Sequence, residues 1–262
     1  LKDPTFLKCF GISKDKVSGK YVLVMEYAQC GSLRQNLHII SKMNWKDKLN
    51  LLQCIASDLQ IIHSHDLIHR DLHSGNIFQA DLKSAYIADL GLSMSANIML
   101  KSKSDGVFGI LPYIAPEVLE GNQYTTASDI YSLAIIMWEI LYGKPITYYQ
   151  KPGPYLQFQI CIDNLRPNIE DAKSCYVDLM KKCWDKEPKN RPSAQQIYEI
   201  FINWKDDDKV LLELSEYDKK INQSMDCNNN CEEIYESKFI STNHLNTTNR
   251  SLILFRTNEF FK

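Results

Sequence analysis

Across 262 residues no long hydrophobic run occurs: the most apolar stretch, Ile130 to Leu141, has Asp129 and Glu139 at its margins. It is shorter than the roughly 20 residues a bilayer requires, so it reads as a buried core helix and no membrane span is expected. An excess of one charge sign is equally absent, since 30 Lys and Arg stand against 32 Asp and Glu for a formal charge of −2. No whole-chain field therefore favours nucleic acid or an anionic surface, and any partner has to be argued locally. Cysteine is concentrated nowhere. Cys9, Cys30, Cys54, Cys161, Cys175 and Cys183 are scattered, and only Cys227 and Cys231 lie close together. A chain of this length needs no disulfide stapling, so reduced thiols in an intracellular, cytoplasmic setting are expected. The close pair has no His or second Cys pair of zinc-ligand spacing beside it. The chain opens on Leu1 rather than Met and is read as a piece of a longer protein.

What is present is 44% apolar sequence, enough for one substantial core. Phe6–Ile12 and Tyr21–Ala28 are strand-like runs around a polar Ser13–Lys20 turn, which predicts a hairpin. Trp45, Leu49, Leu52, Ile55, Ala56, Leu59 and Ile62 recur at three- and four-residue spacing and predict one face of a long helix. Short strand signals follow at Ile77–Gln79 and Tyr86–Ala88, and then the sequence loses its period until Ala115, as functional loops do. Thr126-Ala127-Ser128-Asp129 reads as a capping box for the apolar run, with Gly143 and Pro145 closing it. Ser174–Trp184 and Ser193–Trp204 carry two more helical patterns. Beyond Trp204 the composition turns to Asn, Asp, Lys, Ser and Glu. Such sequence buries little apolar surface, so residues 205–262 are expected to be a largely disordered tail, with a docked strip near Leu252–Phe255.

The chemistry concentrates in three strings: His69-Arg70-Asp71-Leu72-His73-Ser74-Gly75-Asn76, then Asp89-Leu90-Gly91, then Ala115-Pro116-Glu117. One tripeptide alone is weak, but three in this order resemble the catalytic loop, metal-binding triplet and substrate-platform motif of eukaryotic protein kinases. The resemblance covers about three quarters of the chain and implies phosphoryl transfer, in which residues position a nucleophile and neutralise charge on the moving group. It implies that Asp71 accepts or orients the proton of the acceptor hydroxyl. By the same resemblance Asn76 and Asp89 would supply hard oxygen ligands for Mg²⁺ on ATP, although either alone could be a turn residue. Arg70 matches the residue that receives an activation-loop phosphate, with a structural ion pair as its alternative; Ser93, Ser95, Ser102 and Ser104 lie in that loop. His69 and Leu90 match packing positions, and His63 reads as a packed helix-end residue. Asp129 matches the acid that holds the catalytic-loop backbone, and Arg191 the partner of Glu117.

Upstream, Tyr21–Ala28 resembles the last small-lobe strand and hinge of such kinases. The likeness makes Met25 the gatekeeper and gives adenine contacts to the backbone of Glu26 and Ala28. It places Ser32 near the ribose and Phe78 on the apolar floor. The pattern also breaks in places. No Gly-x-Gly-x-x-Gly string precedes residue 21, and no strand Lys with a matching helix Glu is present. These parts cover and position the phosphates, so the chain by itself is expected to bind ATP poorly. Leu90 stands in place of the usual Phe. His73 stands where serine/threonine kinases carry Lys and tyrosine kinases Ala, and Ile110 where Thr is usual. Together with Trp138 and Gly31-Ser32-Leu33, this mixture resembles the tyrosine-kinase-like branch.

The expectation is thus an α+β, protein-kinase-like fold. Residues 1–28 are a remnant of the β-rich small lobe and hinge, 29–204 a mainly helical large lobe, and 205–262 the tail. The implied activity is transfer of the γ-phosphoryl group of Mg·ATP to a protein Ser or Thr hydroxyl in signalling, with Tyr as the alternative acceptor. The implied partners are ATP, a protein substrate and a protein bound by the tail, with no nucleic acid. A pseudokinase-like binding module is the rival from another class. A small-molecule phosphotransferase of related fold is disfavoured by Ala115-Pro116-Glu117 and Arg191, which belong to a peptide platform.

Overall fold

The computed structural model describes residues 8–90, 94–95, 106–146, 154–169, 174–224 and 237–241. It is a helical lobe carrying a hairpin. Strands β1 (Cys9–Lys14) and β2 (Tyr21–Met25) pair antiparallel. Val22, Leu23, Val24 and Met25 are all exposed, so this strand is apolar on both faces without being covered by the lobe below. Helix α1 (Leu33–Ile40) follows with Ser32 at its N-cap. The Ser32 N–H donates to Gln35 Oε1, the reciprocal half of a capping box.

The long helix α2 (Trp45–Ser64) forms as its periodicity predicts. Asn44 caps it by accepting from the Asp47 N–H, and the seven apolar residues of its predicted face are all buried. Next come three short strands: β3 (Leu67–Ile68), then β4 (Ile77–Phe78) and β5 (Tyr86–Ile87), which pair antiparallel with each other. Strand β6 (Met94–Ser95) pairs with β3, and β7 is Gly106–Gly109. A short helix α3 (Pro116–Leu119) precedes α4 (Thr126–Tyr142). Helix α4 is buried continuously from Ser128 to Tyr142, which is why its sequence is apolar all round rather than striped. Its N-cap is Thr125, whose N–H donates to Ser128 Oγ, one residue earlier than the sequence indicates. Gly143 ends it in the left-handed region at φ 67°, where a side chain would be strained.

Helices α5 (Pro154–Cys161), α6 (Cys175–Cys183) and α7 (Ala194–Lys205) follow, the last two where the sequence patterns place them. Helix α7 packs on α2 and α6 on α4, in one continuous core.

The segment after residue 205 departs from expectation. Residues Asp208–Ser224 form a further helix, α8, and Lys238–Ser241 a strand, β8. Leu214, Tyr217 and Ile221 of α8 are buried in the common core. Their three- and four-residue spacing gives even this polar segment one apolar face, and burying it offsets the entropy of ordering. Strand β8 pairs antiparallel with β7. The strip Leu252–Phe255 and the pair Cys227 and Cys231 lie outside the described residues, as do Ser93, Ser102 and Ser104.

Candidate active site

The site is assembled around one buried carboxylate. Asp129, in the first turn of α4, accepts the His69 N–H on Oδ2 at 2.8 Å and the Arg70 N–H on Oδ1 at 3.0 Å. The His63 ring at the end of α2 adds a third contact, Nε2 to Oδ2 at 2.9 Å. This clamp fixes a backbone that would not hold itself, because Arg70 sits at φ 72°, a left-handed conformation uncommon for side chains. His69 is fully buried, as a packing residue should be. Its Nε2–H donates to the Ala88 carbonyl at 3.0 Å, while Nδ1 accepts the Asp71 N–H at 3.3 Å. The sequence presents His63 as a helix-end residue, and its contact with Asp129 has no local signal there.

Strands β4 and β5 align two other predicted residues. Ile77 pairs with Ile87 and Phe78 with Tyr86, and the next rung is the Ala88 N–H donating to the Asn76 carbonyl at 2.9 Å. Asn76 and Asp89 therefore leave the same end of one hairpin. The Asn76 side-chain nitrogen donates to the Asp71 carbonyl at 2.9 Å, which leaves Oδ1 as the atom the amide can offer to a cation. Asp89 is exposed and adopts φ 61°. An amide oxygen and a carboxylate are suitable donors for Mg²⁺, which takes few protein ligands when phosphates supply others. Among the described residues no group of three or more His, Cys, Asp and Glu is gathered as a metal cluster.

Asp71 is 8% exposed. Burial pushes its carboxyl above the usual range, and the charge of Asp89 adds to this; the Ser237 hydroxyl and His69 act in the opposite direction. Nearby, His73 Nε2 lies 3.8 Å from Asp71 Oδ2. Burial, with Arg34 and His69 beside it, drives the His73 ring down to about 3, so near neutral pH this is a neutral imidazole and no ion pair. Its Nδ1 accepts the Gly75 N–H at 3.0 Å.

One contact on Asp71 was invisible in the sequence. The Ser237 hydroxyl donates to the carboxylate, 3.0 Å from Oδ1 and 2.9 Å from Oδ2. Nothing in the local sequence signals a partner so far along the chain.

Behind Asp71, the stretch Ile110–Tyr113 is buried and pinned to α4, where Ser132 Oγ donates to the Tyr113 carbonyl at 2.7 Å. Gly109 adopts φ 150°, and a Cβ there would lie 3.1 Å from Ile114 Cδ1 and 3.5 Å from Asp71 Oδ1. Glu117 and Arg191 form the expected pair through two parallel hydrogen bonds of 2.7 and 2.8 Å. The Arg70 guanidinium lies over the Tyr124 ring, 4.7 Å from its centroid.

The predicted nucleotide-side residues are partly gathered. Ser32 and Phe78 meet through an isolated antiparallel bridge. The Ala28 carbonyl accepts the Gly31 N–H at 3.1 Å, closing the turn before α1. Met25 ends β2 opposite Cys9, and the Glu26 N–H donates to the Lys8 carbonyl at 2.8 Å. Leu90 differs from expectation: at 43% exposed it is not a packed residue.

A profile for protein tyrosine and serine/threonine kinases matches residues 1–201. The chain belongs to the protein kinase family of phosphotransferases. A probable serine/threonine-protein kinase of Dictyostelium discoideum is 32% identical over 220 residues, covering 77% of this chain and 12% of that protein. The mitogen-activated protein kinase kinase kinase mom-4 of Caenorhabditis elegans is 30% identical over 207 residues, 78% of this chain and 38% of that protein. A probable LIM domain-containing serine/threonine-protein kinase of Dictyostelium discoideum is 32% identical over 197 residues, 74% and 29% respectively. The chain thus spans well under half the length of these relatives. No described helix is long and apolar enough to cross a membrane.

Proposed function

We propose that residues 29–204, extended by α8, form the catalytic lobe of a kinase that transfers the γ-phosphoryl group of Mg·ATP to Ser or Thr hydroxyls of a protein in intracellular signalling. The observation that carries this reading is the Asp71 carboxylate, largely buried and in hydrogen-bond contact with a serine hydroxyl. A general base needs that reach to its proton donor. Asp71 orients the acceptor oxygen and takes its proton, and the clamp of Asp129 on the His69 and Arg70 amides keeps the carboxylate in place. Asn76 and Asp89 would hold Mg²⁺, which would supply charge neutralisation on the phosphates when bound. Arg70 stands beside the acceptor platform, ready for an activation-loop phosphate. The backbones of Glu26 and Ala28 receive adenine behind Met25, with Ser32 at the ribose and Phe78 beneath the base.

The test is transfer of labelled γ-phosphate by the full-length protein to a generic protein acceptor, with and without Mg²⁺, followed by phosphoamino-acid analysis. Mg-dependent phosphoserine or phosphothreonine is the expected product. Phosphotyrosine alone would overturn the acceptor assignment, and no transfer at all would leave a binding role.

A further inference from the structure

We propose that Ser237 is this protein's own phosphoacceptor, delivered in cis to Asp71 by the strand that follows it. The inference rests on the kinase reading above and names a substrate residue for it.

Register is the first support. Strands β7 and β8 pair as Gly106 with Ser241, Val107 with Ile240, Phe108 with Phe239 and Gly109 with Lys238. Gly109 is the rung that abuts Asp71, since a Cβ there would lie 3.5 Å from Oδ1. The residue just before Lys238 is therefore the one that arrives at the carboxylate, and that residue is Ser237. Side-chain alternation holds the register. Val107 and Ile240 face one another and pack against the core, while Phe108 and Phe239 on the other face are exposed. A slip of one residue would turn Phe239 inward and present Glu236 or Lys238 at Asp71 instead of a hydroxyl.

Chemistry is the second support. The hydroxyl lies 2.9 and 3.0 Å from the two carboxylate oxygens, so its proton already faces the base. Strand addition to an open edge is also a general way of presenting an extended peptide. In the transfer step the Ser237 O–H bond breaks and its proton passes to Asp71. An oxygen electron pair forms the new O–P bond. The bond from the γ-phosphorus to the bridging oxygen breaks, and its electrons leave on ADP. Phosphoserine then places about two negative charges against Asp71 and near Asp89, and this repulsion releases the strand.

The experiment uses the full-length protein with Mg·ATP and site mapping by mass spectrometry, over at least a tenfold range of protein concentration. Phosphate on residue 237, lost in Ser237→Ala and appearing at a concentration-independent rate, is the expected result. Labelling of an added protein acceptor without label on Ser237 overturns this inference and leaves the kinase reading intact. Labelling of neither overturns both, and a rate proportional to concentration overturns the cis assignment. A second readout needs no nucleotide. Amide exchange at residues 106–109, paired with β8 in the wild type, is expected to be slow there and to accelerate at least tenfold in Ser237→Glu, where a carboxylate meets Asp71. Unchanged protection in that variant would show that the hydroxyl contact does not hold the strand.

Discussion

Glu117 and Arg191 meet as two planar groups, Nη1 to Oε1 at 2.7 Å and Nη2 to Oε2 at 2.8 Å, with both residues buried. The same guanidinium donates to the Ala127 carbonyl at 2.9 Å and to the Asp185 carbonyl at 2.9 Å, tying α3 to the start of α4 and to the turn before α7. Removing one partner of such a pair strands the other as a buried charge, at a cost of about 3–5 kcal/mol. Glu117→Ala and Arg191→Ala should each lose that much in urea unfolding. Arg191→Lys should recover only part of it, because an ammonium cannot form the fork. Wild-type stability in either alanine variant would remove the pair from its structural role.

Helix α8 is fastened by an equally specific contact. The Lys48 ammonium, fully buried in α2, lies 2.6 Å from Asp218 Oδ2. Burial pulls the Lys48 ammonium down from its usual range, and Asp218 opposes that pull. Asp218→Ala is expected to destabilise the lobe by about 3–5 kcal/mol by stranding the lysine. Ending the chain after Lys205 should cost at least as much, since it also uncovers the surface under Leu214, Tyr217 and Ile221. Equal unfolding midpoints for the truncated and full chains would show that α8 contributes nothing.

A pH effect follows from Asp58, which is buried in α2 and accepts the Ile87 N–H of β5 on Oδ2 at 2.9 Å. Burial pushes its carboxyl up to about 8. The folded chain keeps this proton between about pH 4 and pH 8 while the unfolded chain releases it, so the group's contribution to stability falls as pH rises through that window. The limiting slope is about 1.4 kcal/mol per pH unit. Asp58→Asn has nothing to titrate there, and its stability relative to wild type should rise from pH 5 to pH 8. Parallel stability curves for the two proteins would contradict the buried, protonated Asp58.

Much of this arrangement is legible before any coordinates. Helices α2 and α4 announce themselves because burial on one face, or on all faces, leaves a period or its absence in the sequence. The strings around Asp71, Asp89 and Glu117 are readable because phosphoryl transfer constrains residue type and order together. What escaped depends on partners far away in sequence. The face of α8 is short and embedded in polar residues, so composition outweighed the spacing of Leu214, Tyr217 and Ile221. The pairing of β8 with β7, and with it the Ser237 contact on Asp71, is a non-local ladder that neither strand encodes alone. His63 looked like packing because its partner, Asp129, is supplied by another helix.

The most direct test of the account replaces Asp71 by Asn in the full-length protein and compares single-turnover phosphoryl transfer from Mg·ATP with nucleotide affinity. Asn keeps the shape but cannot take the proton, so transfer should fall by about 10²–10⁴-fold while Mg·ATP binding stays within a few fold. Transfer at the wild-type rate in that variant would contradict the account.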